Sequence, residues 1–218
     1  TVLTSSIEHN AMCRPIKSME RECGVNVLQF KCLPNGSPDM DDLAKHLATK
    51  PTLLALLHGS NVLGNIMPLQ EIVDMAHGYD VPVFVDAAQT AGLYQVNIAE
   101  IGCEFFAFTG HKGLLGPTGT GGLYIQKGIE LRTYREGGTG SMSKTPYQPE
   151  NTPDRFEAGT LNTMGIAGLN ASVGFLLEHG VAEVYRHENE LIQRCMEGLA
   201  GIPGIQIYGP DAGIERLG

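Results

Sequence analysis

Four short apolar runs in this sequence each end in polar residues able to do chemistry. Residues 2–5 are followed by Glu8, His9 and Asn10, and residues 52–57 by His58, Ser60 and Asn61. Residues 81–85 lead into Asp86 and Gln89, and residues 105–108 into Thr109, Gly110, His111 and Lys112. In open α/β sheets ligands bind beyond the carboxyl ends of the strands, so these run ends are expected to share one edge. Lys112 lies four residues past its run, within Thr109-Gly110-His111-Lys112-Gly113-Leu114-Leu115-Gly116-Pro117. A glycine-rich turn can bring an amine beside an apolar sheet edge, where partial desolvation lowers its pKa. Such an amine is a nucleophile for a carbonyl and forms a Schiff base. The plain alternative is a solvated loop lysine, the usual fate of the residue type.

Asp86 narrows the chemistry. A carboxylate at the end of a buried strand needs a cation or hydrogen-bond donors. Pyridoxal phosphate meets both demands, with an aldehyde for the lysine and a ring nitrogen for the carboxylate. With that nitrogen held protonated, the ring accepts electrons from a substrate carbanion. Asp86 could instead cap the turn at Ala87-Ala88. Gln89 and Asn61 could donate to the cofactor's phenolate oxygen, and Asn61 equally suits a turn within Ser60-Asn61-Val62-Leu63-Gly64. Thr109 and His111 could hold the phosphate. His9 could lie flat on the ring, or simply start a helix. The signal is the joint placement of these residues at strand ends.

The elements that must position them alternate along the chain. Residues 2–5, 25–30, 52–57, 81–85, 105–108 and 121–125 read as strands, and the unbroken apolar run 52–57 is the mark of a strand covered on both faces. Helices are expected from after His9 to residue 22, over 39–48 with Asp39 as N-cap, over 68–77, over 164–179 and over 181–200. The last carries Leu191, Ile192, Cys195, Met196 and Leu199 on one face. This order predicts an α/β fold, a doubly wound, mainly parallel sheet with flanking helices. Residues 133–163, rich in Gly, Thr, Ser, Pro and Asn, read as a long functional loop. Residues 205–208 read as the start of a new element. The expected division is a large cofactor-binding domain over 1–200 and the beginning of a smaller α/β domain over 201–218. A strand that starts at residue 2, behind a Thr rather than a Met, reads as an excerpt from a longer protein.

Composition excludes other classes. The 218 residues carry a net charge of −9, which offers no basic face for nucleic acid. The apolar runs are far shorter than a membrane span, and no charged-then-apolar leader is present. The five cysteines are scattered without a C-x-x-C pair and the seven histidines do not cluster, so neither a disulfide framework nor a metal site is expected. A reducing cytoplasm and buried structural thiols fit this usage. Phosphate-loop, dinucleotide, zinc-protease and hydrolase-elbow motifs are all missing. The 28 glycines, nearly twice the usual ~7%, have no strict period and must serve turns and close approaches.

Five strings then occur in a telling order: Glu8-His9-Asn10, Ser60-Asn61-Val62-Leu63-Gly64, Val85-Asp86-Ala87-Ala88-Gln89, Thr109-Gly110-His111-Lys112 and Arg155-Phe156-Glu157-Ala158-Gly159-Thr160-Leu161-Asn162. Over nearly the whole chain this resembles the cysteine desulfurases, fold-type I pyridoxal phosphate enzymes of the class V aminotransferase family. The resemblance implies that Lys112 carries the cofactor as a Schiff base and that Asp86 faces the pyridine nitrogen. It implies that Gln89 and Asn61 lie near the phenolate oxygen, that Thr109 and His111 bind phosphate, and that His9 stacks on the ring and assists proton transfer. Thr160 resembles a threonine that reaches the phosphate of the neighbouring subunit, which implies a homodimer. L-cysteine is the implied substrate, L-alanine the product, and the sulfur leaves as a persulfide for an acceptor protein. The family's N-terminal phosphate-binding turn is not matched in this sequence. Nor are its C-terminal catalytic cysteine and its carboxylate-gripping arginine, and none of the five cysteines corresponds to that nucleophile. The chain therefore reads as a central fragment, inactive by itself. A selenocysteine lyase or a class V aminotransferase would share every residue named. A non-catalytic scaffold of the same fold would need neither Lys112 nor Asp86 nor Gln89.

Overall fold

The computed structural model describes residues 1–211 and 213–218. Six strands form one sheet, and all were anticipated within a few residues: β1 (Val2–Ser5), β2 (Val27–Phe30), β3 (Leu53–Leu57), β4 (Val83–Asp86), β5 (Phe105–Thr109) and β6 (Gly121–Ile125). Their order across the sheet is β2-β1-β3-β4-β5-β6. The first five run parallel, and β6 turns back antiparallel to β5. The α/β, mainly parallel architecture expected from the alternation is thus the one observed. Parallel neighbours demand crossover connections, and helices supply them.

The crossover helices are α1 (Asn10–Cys23), α2 (Met40–Leu47), α3 (Leu69–Gly78) and the single turn α4 (Ile98–Ile101); α5 (Thr163–His179) and α6 (Val181–Ala200) follow the last strand. Local chemistry explains their ends. The Asp39 carboxylate accepts the Asp42 amide at 3.0 Å, acids follow in the first turn and Lys45 and His46 close the last. In α3, Leu69, Ile72, Val73 and Ala76 repeat at helical spacing and all are buried. α4 escaped notice because one turn carries no period; its marks are the Asn97 cap and Gly102 in the left-handed region at φ 74°.

The core lies between β1–β4 and helices α2 and α3. Leu3, Phe30, Leu43, Leu47, Leu54, Leu56, Ile72 and Val83 are fully enclosed there. The far end of the chain differs from expectation. α6 forms as predicted, yet none of its residues is buried, and Leu191 and Cys195 on its apolar face are exposed. Helical spacing announces a face but not what lies opposite it. Nor are the thiols uniformly buried: Cys103 is enclosed, Cys13 and Cys32 are partly so, and Cys23 and Cys195 are open to solvent. Residues 205–208 form neither helix nor strand. Between β6 and α5 runs the long loop, with a single 3-10 turn at Asp154–Phe156. Arg155 ties it down through Glu130 at 3.0 Å and the Leu131 carbonyl at 2.6 Å.

Candidate active site

The chain leaves β1 for β2 on one side, then crosses to β3 on the other. Such a switch of direction opens a crevice at the carboxyl ends of the strands. A cavity of about 600 Å³ lies there, along the ends of β1, β3, β4 and β5. Its lining includes His9, Asn61, Asp86, Gln89, Thr109, His111 and Lys112, seven of the eight residues singled out from sequence. Thr160 is not among them and stands exposed in the long loop. A second cavity of about 620 Å³ lies between β6 and the long loop, lined by Leu123, Tyr134, Arg132 and Arg135 among others. It contains no lysine and none of the anticipated residues, so chemistry favours the strand-end cavity over size.

The floor is apolar because of sheet register. Leu57, Asp86 and Ala107 are paired neighbours across β3, β4 and β5, and Phe84 stands two residues before Asp86 on the same face. All four line the cavity. The Asp86 carboxylate accepts the Ala88 amide at 2.9 Å, and no ion pair among the described residues involves it. The turn cap foreseen as an alternative therefore exists, and it leaves the second carboxylate oxygen free for a cationic group. His9 starts its helix, the plainer of the two readings offered for it, and also borders the cavity. It caps α1 by accepting the Ala11 amide on Nδ1 at 3.1 Å, and its ring lines the cavity. Asn61 sits on the cavity and within a tight turn, where the Gly64 amide reaches the Ser60 carbonyl at 3.0 Å and Gly64 has φ 71°.

Lys112 rides on the loop that joins β5 to β6. The Gly110 amide reaches the Thr120 carbonyl at 2.8 Å and closes the base, and the Gly116 amide folds back onto the Gly110 carbonyl at 2.7 Å. The loop docks on the segment after Gln89 at Gly113, where a Cβ would stand only 2.7 Å from the Ala91 carbonyl oxygen. Glycine is required there by close approach of two backbones. Thr109 and His111 pair through Oγ1 and Nδ1 at 2.9 Å, which presents a hydroxyl and an imidazole side by side.

Three supports had no role assigned from sequence, although Glu8 and His58 were noted there as strand-end polar residues. Glu8, the residue before His9, is partly buried; its carboxyl accepts the Leu57 amide at 2.9 Å and bonds the Ser5 hydroxyl. Burial pushes its pKa up to about 7, and the Asp86 charge acts in the same direction. His58, enclosed beneath the Asn61 turn, bonds Thr90 Oγ1 through Nδ1 at 2.9 Å, and burial drives its pKa down to about 4. The Arg216-Leu217 segment props the same turn from outside. The Leu217 amide donates to Gly64 at 2.8 Å, and Arg216 Nη2 to Leu63 at 3.3 Å. The polarity of Glu8 and His58 was visible in the sequence, but their enclosure depends on partners dozens of residues away.

The chain is similar in sequence and in fold to known proteins. A cysteine desulfurase of Escherichia coli is 35% identical over all of this chain, which covers 54% of that protein. A probable cysteine desulfurase of Halalkalibacterium halodurans is 34% identical over 96% of the chain and 52% of its own length. Among solved structures, a cysteine desulfurase from Thermococcus onnurineus superimposes with a TM-score of 0.84 at 31% identity, over 97% of this chain and 53% of that one. The Escherichia coli cysteine desulfurase CsdA does so with a TM-score of 0.85 at 28% identity, over 93% and 52%. The chain thus spans about half the length of the curated relatives it matches. With residues 1–217 also matching the model of the aminotransferase class-V family, the chain belongs to that family.

Proposed function

We propose that the protein carrying this chain is a pyridoxal phosphate-dependent cysteine desulfurase, which converts L-cysteine to L-alanine and passes the sulfur on as a persulfide. The observation that carries this reading is the meeting of Lys112 with an ion-pair-free Asp86 in one apolar-floored cavity. The names of the relatives point the same way. The donor set fits the cofactor. Lys112 would hold it covalently, Asp86 would face the ring nitrogen, Gln89 and Asn61 the phenolate oxygen, and the Thr109–His111 pair the phosphate. His9 would stack on the ring. When bound, pyridoxal phosphate supplies an electron sink for the carbanion left by α-proton removal.

The chain's own groups do the rest. The Lys112 amine accepts the α-proton, with the His9 imidazole as its helper. Asp86 keeps a negative charge where the sink needs it. Leu57, Phe84 and Ala107 exclude water from below. Desulfuration breaks the substrate C–S bond and forms an S–S bond to a thiolate. The carbon keeps the bonding electrons and gains a proton, so no outside oxidant is required. None of the five cysteines lines the cavity, and the attacking thiol is assigned to a residue other than these. Thr160, exposed on its loop, is assigned to the phosphate of a second copy in a homodimer. The working division remains a large domain over 1–200, with residues 201–218 opening a smaller one. Among the described residues no helix is long and apolar enough to cross a membrane, and we place the enzyme, with a sulfur-acceptor protein, in the cytoplasm.

The test begins with the visible spectrum, followed by borohydride reduction and peptide mapping. A colourless protein, or an adduct away from Lys112, would sink the cofactor assignment. Alanine formed from cysteine, with sulfide released when a thiol reductant is added to cleave the persulfide, separates a desulfurase from an aminotransferase. Asp86→Ala should keep the fold and lose most turnover.

A further inference from the structure

We propose that Glu8 is a proton-responsive positioning residue of this site, fixing His9 beside the cavity and setting the negative potential that reinforces Asp86. The proposal rests on the reading of Asp86 as the partner of a cationic group. β1 ends at Ser5, and the chain turns away there, with the Ser6 amide bonded to the Phe30 carbonyl at 3.0 Å. The Leu57 amide of β3 is then left without a β1 carbonyl, and the Glu8 carboxyl takes that place at 2.9 Å. Leu57 is in turn the registered neighbour of Asp86, and the next amide, from His58, bonds the Asp86 carbonyl at 2.8 Å. One side chain therefore joins the exit of β1, which carries His9, to the strand that borders Asp86.

The same geometry puts two carboxyl groups on one sheet edge with a single strand between them. Like charges so placed disfavour joint ionisation, and a cation near Asp86 relieves that conflict. Glu8 should therefore release its proton more readily when the cavity holds a cationic ring. Once ionised, it should strengthen the hold on that ring. The other titratable groups facing it do not blur this coupling. The Cys13 thiol on α1 bonds the Glu8 carbonyl at 3.5 Å, and burial with the Glu8 charge raises its pKa; burial raises that of Cys32 after β2. Both thiols are neutral around pH 7. Lys17 on α1 is held by Glu20 at 2.8 Å, and His9 is committed at Nδ1 to its cap.

The test compares wild type with Glu8→Gln, which keeps an acceptor for the Leu57 amide and cannot ionise. Pyridoxal phosphate is titrated into cofactor-free protein between pH 5.5 and 8.5. The ratio of wild-type to variant affinity should rise roughly three- to tenfold across that range, the size expected of two charges coupled across one strand. A ratio independent of pH would overturn the proposal, since a purely structural role moves both proteins alike. Should the variant fail to fold, infrared spectra of the wild-type protein without cofactor decide. A protonated carboxyl band present at pH 5.5 and lost by pH 8.5 supports the proposal, and its absence overturns it. Because that band needs no cofactor, its result is separable from failure of the borohydride mapping at Lys112.

Discussion

The two halves of the sheet are built from similar residues but finished differently. On one side, β1 to β4 and helices α2 and α3 enclose a continuous core. On the other, around β6 and the paired helices α5 and α6, apolar side chains stand open: Leu177 is 80% exposed, Met164 85% and Leu123 50%. The cause is legible in the helices. α2 and α3 have one apolar stripe and a polar back, so a single neighbour satisfies them. α5, with the sequence TMGIAGLNASVGFLLEH, is apolar nearly all round, the pattern of a helix meant for enclosure on several sides, and only Gly165 and Leu176 are buried. The comparison teaches which site residues stand on firm ground. His9, Asn61 and Asp86 are anchored to the enclosed half, whereas Lys112 and Thr160 ride on loops attached to the open one.

Substitutions can break that contrast or sharpen it. The largest effect is expected for Leu56→Ala in β3, which empties a filled core site and should cost about 2–5 kcal/mol in urea unfolding. Next comes a pair of opposed pH effects, both from the enclosed half. Glu8 has its pKa raised from 4.5 to about 7, so its contribution to stability is full below pH 4.5 and is lost as pH rises towards 7. His58 has its pKa lowered from 6.5 to about 4, so its contribution is full above pH 6.5 and is lost as pH falls towards 4. Each amounts to about 3 kcal/mol, and over pH 4.5–6.5 they cancel in the wild type. Glu8→Gln should therefore gain stability with rising pH across this window, and His58→Asn should lose it. Unfolding midpoints at three pH values would show it, and flat profiles in both variants would refute the cancellation. Asp39→Ala removes the α2 cap and should cost about 1 kcal/mol. At the small end, Leu177→Ala on the open half should change stability by less than about 0.5 kcal/mol. A cost for Leu177 equal to that for Leu56 would erase the distinction between the halves.

Legibility followed the same line. The strands of the enclosed half were plain because continuous runs such as Leu53–Leu57 admit few other readings. β6 was seen as a strand, but not its direction, because Gly121 and Gly122 give no face and the loop before it is glycine-rich. That Asp86, Gln89, Asn61 and Lys112 would meet at one cavity could be foreseen because polar residues just beyond apolar runs have one natural place in such a sheet. Glu8 and His58 could not be told from ordinary polar residues. Their altered acidity comes from burial against Leu57, Thr90 and Asp86, contacts that cross 30 to 80 residues of sequence. The open face of α6 was invisible for the opposite reason, since nothing in its spacing reports an empty neighbourhood.

The loop that carries Lys112 also sets an order of events in time. Its base closes between Gly110 and Thr120, a local contact of the kind that forms within microseconds. His9, Asn61 and Asp86 reach it only once four parallel strands, brought together by crossovers, have found their places, and such long-range pairing is slow. During refolding the amine should be in its loop well before it has a cavity to face. On the function proposed above, pyridoxal phosphate added at the start would therefore act as a clock for completion of the sheet: the spectral change on its attachment to Lys112 should come in the last kinetic phase, however early the lysine loop itself has formed.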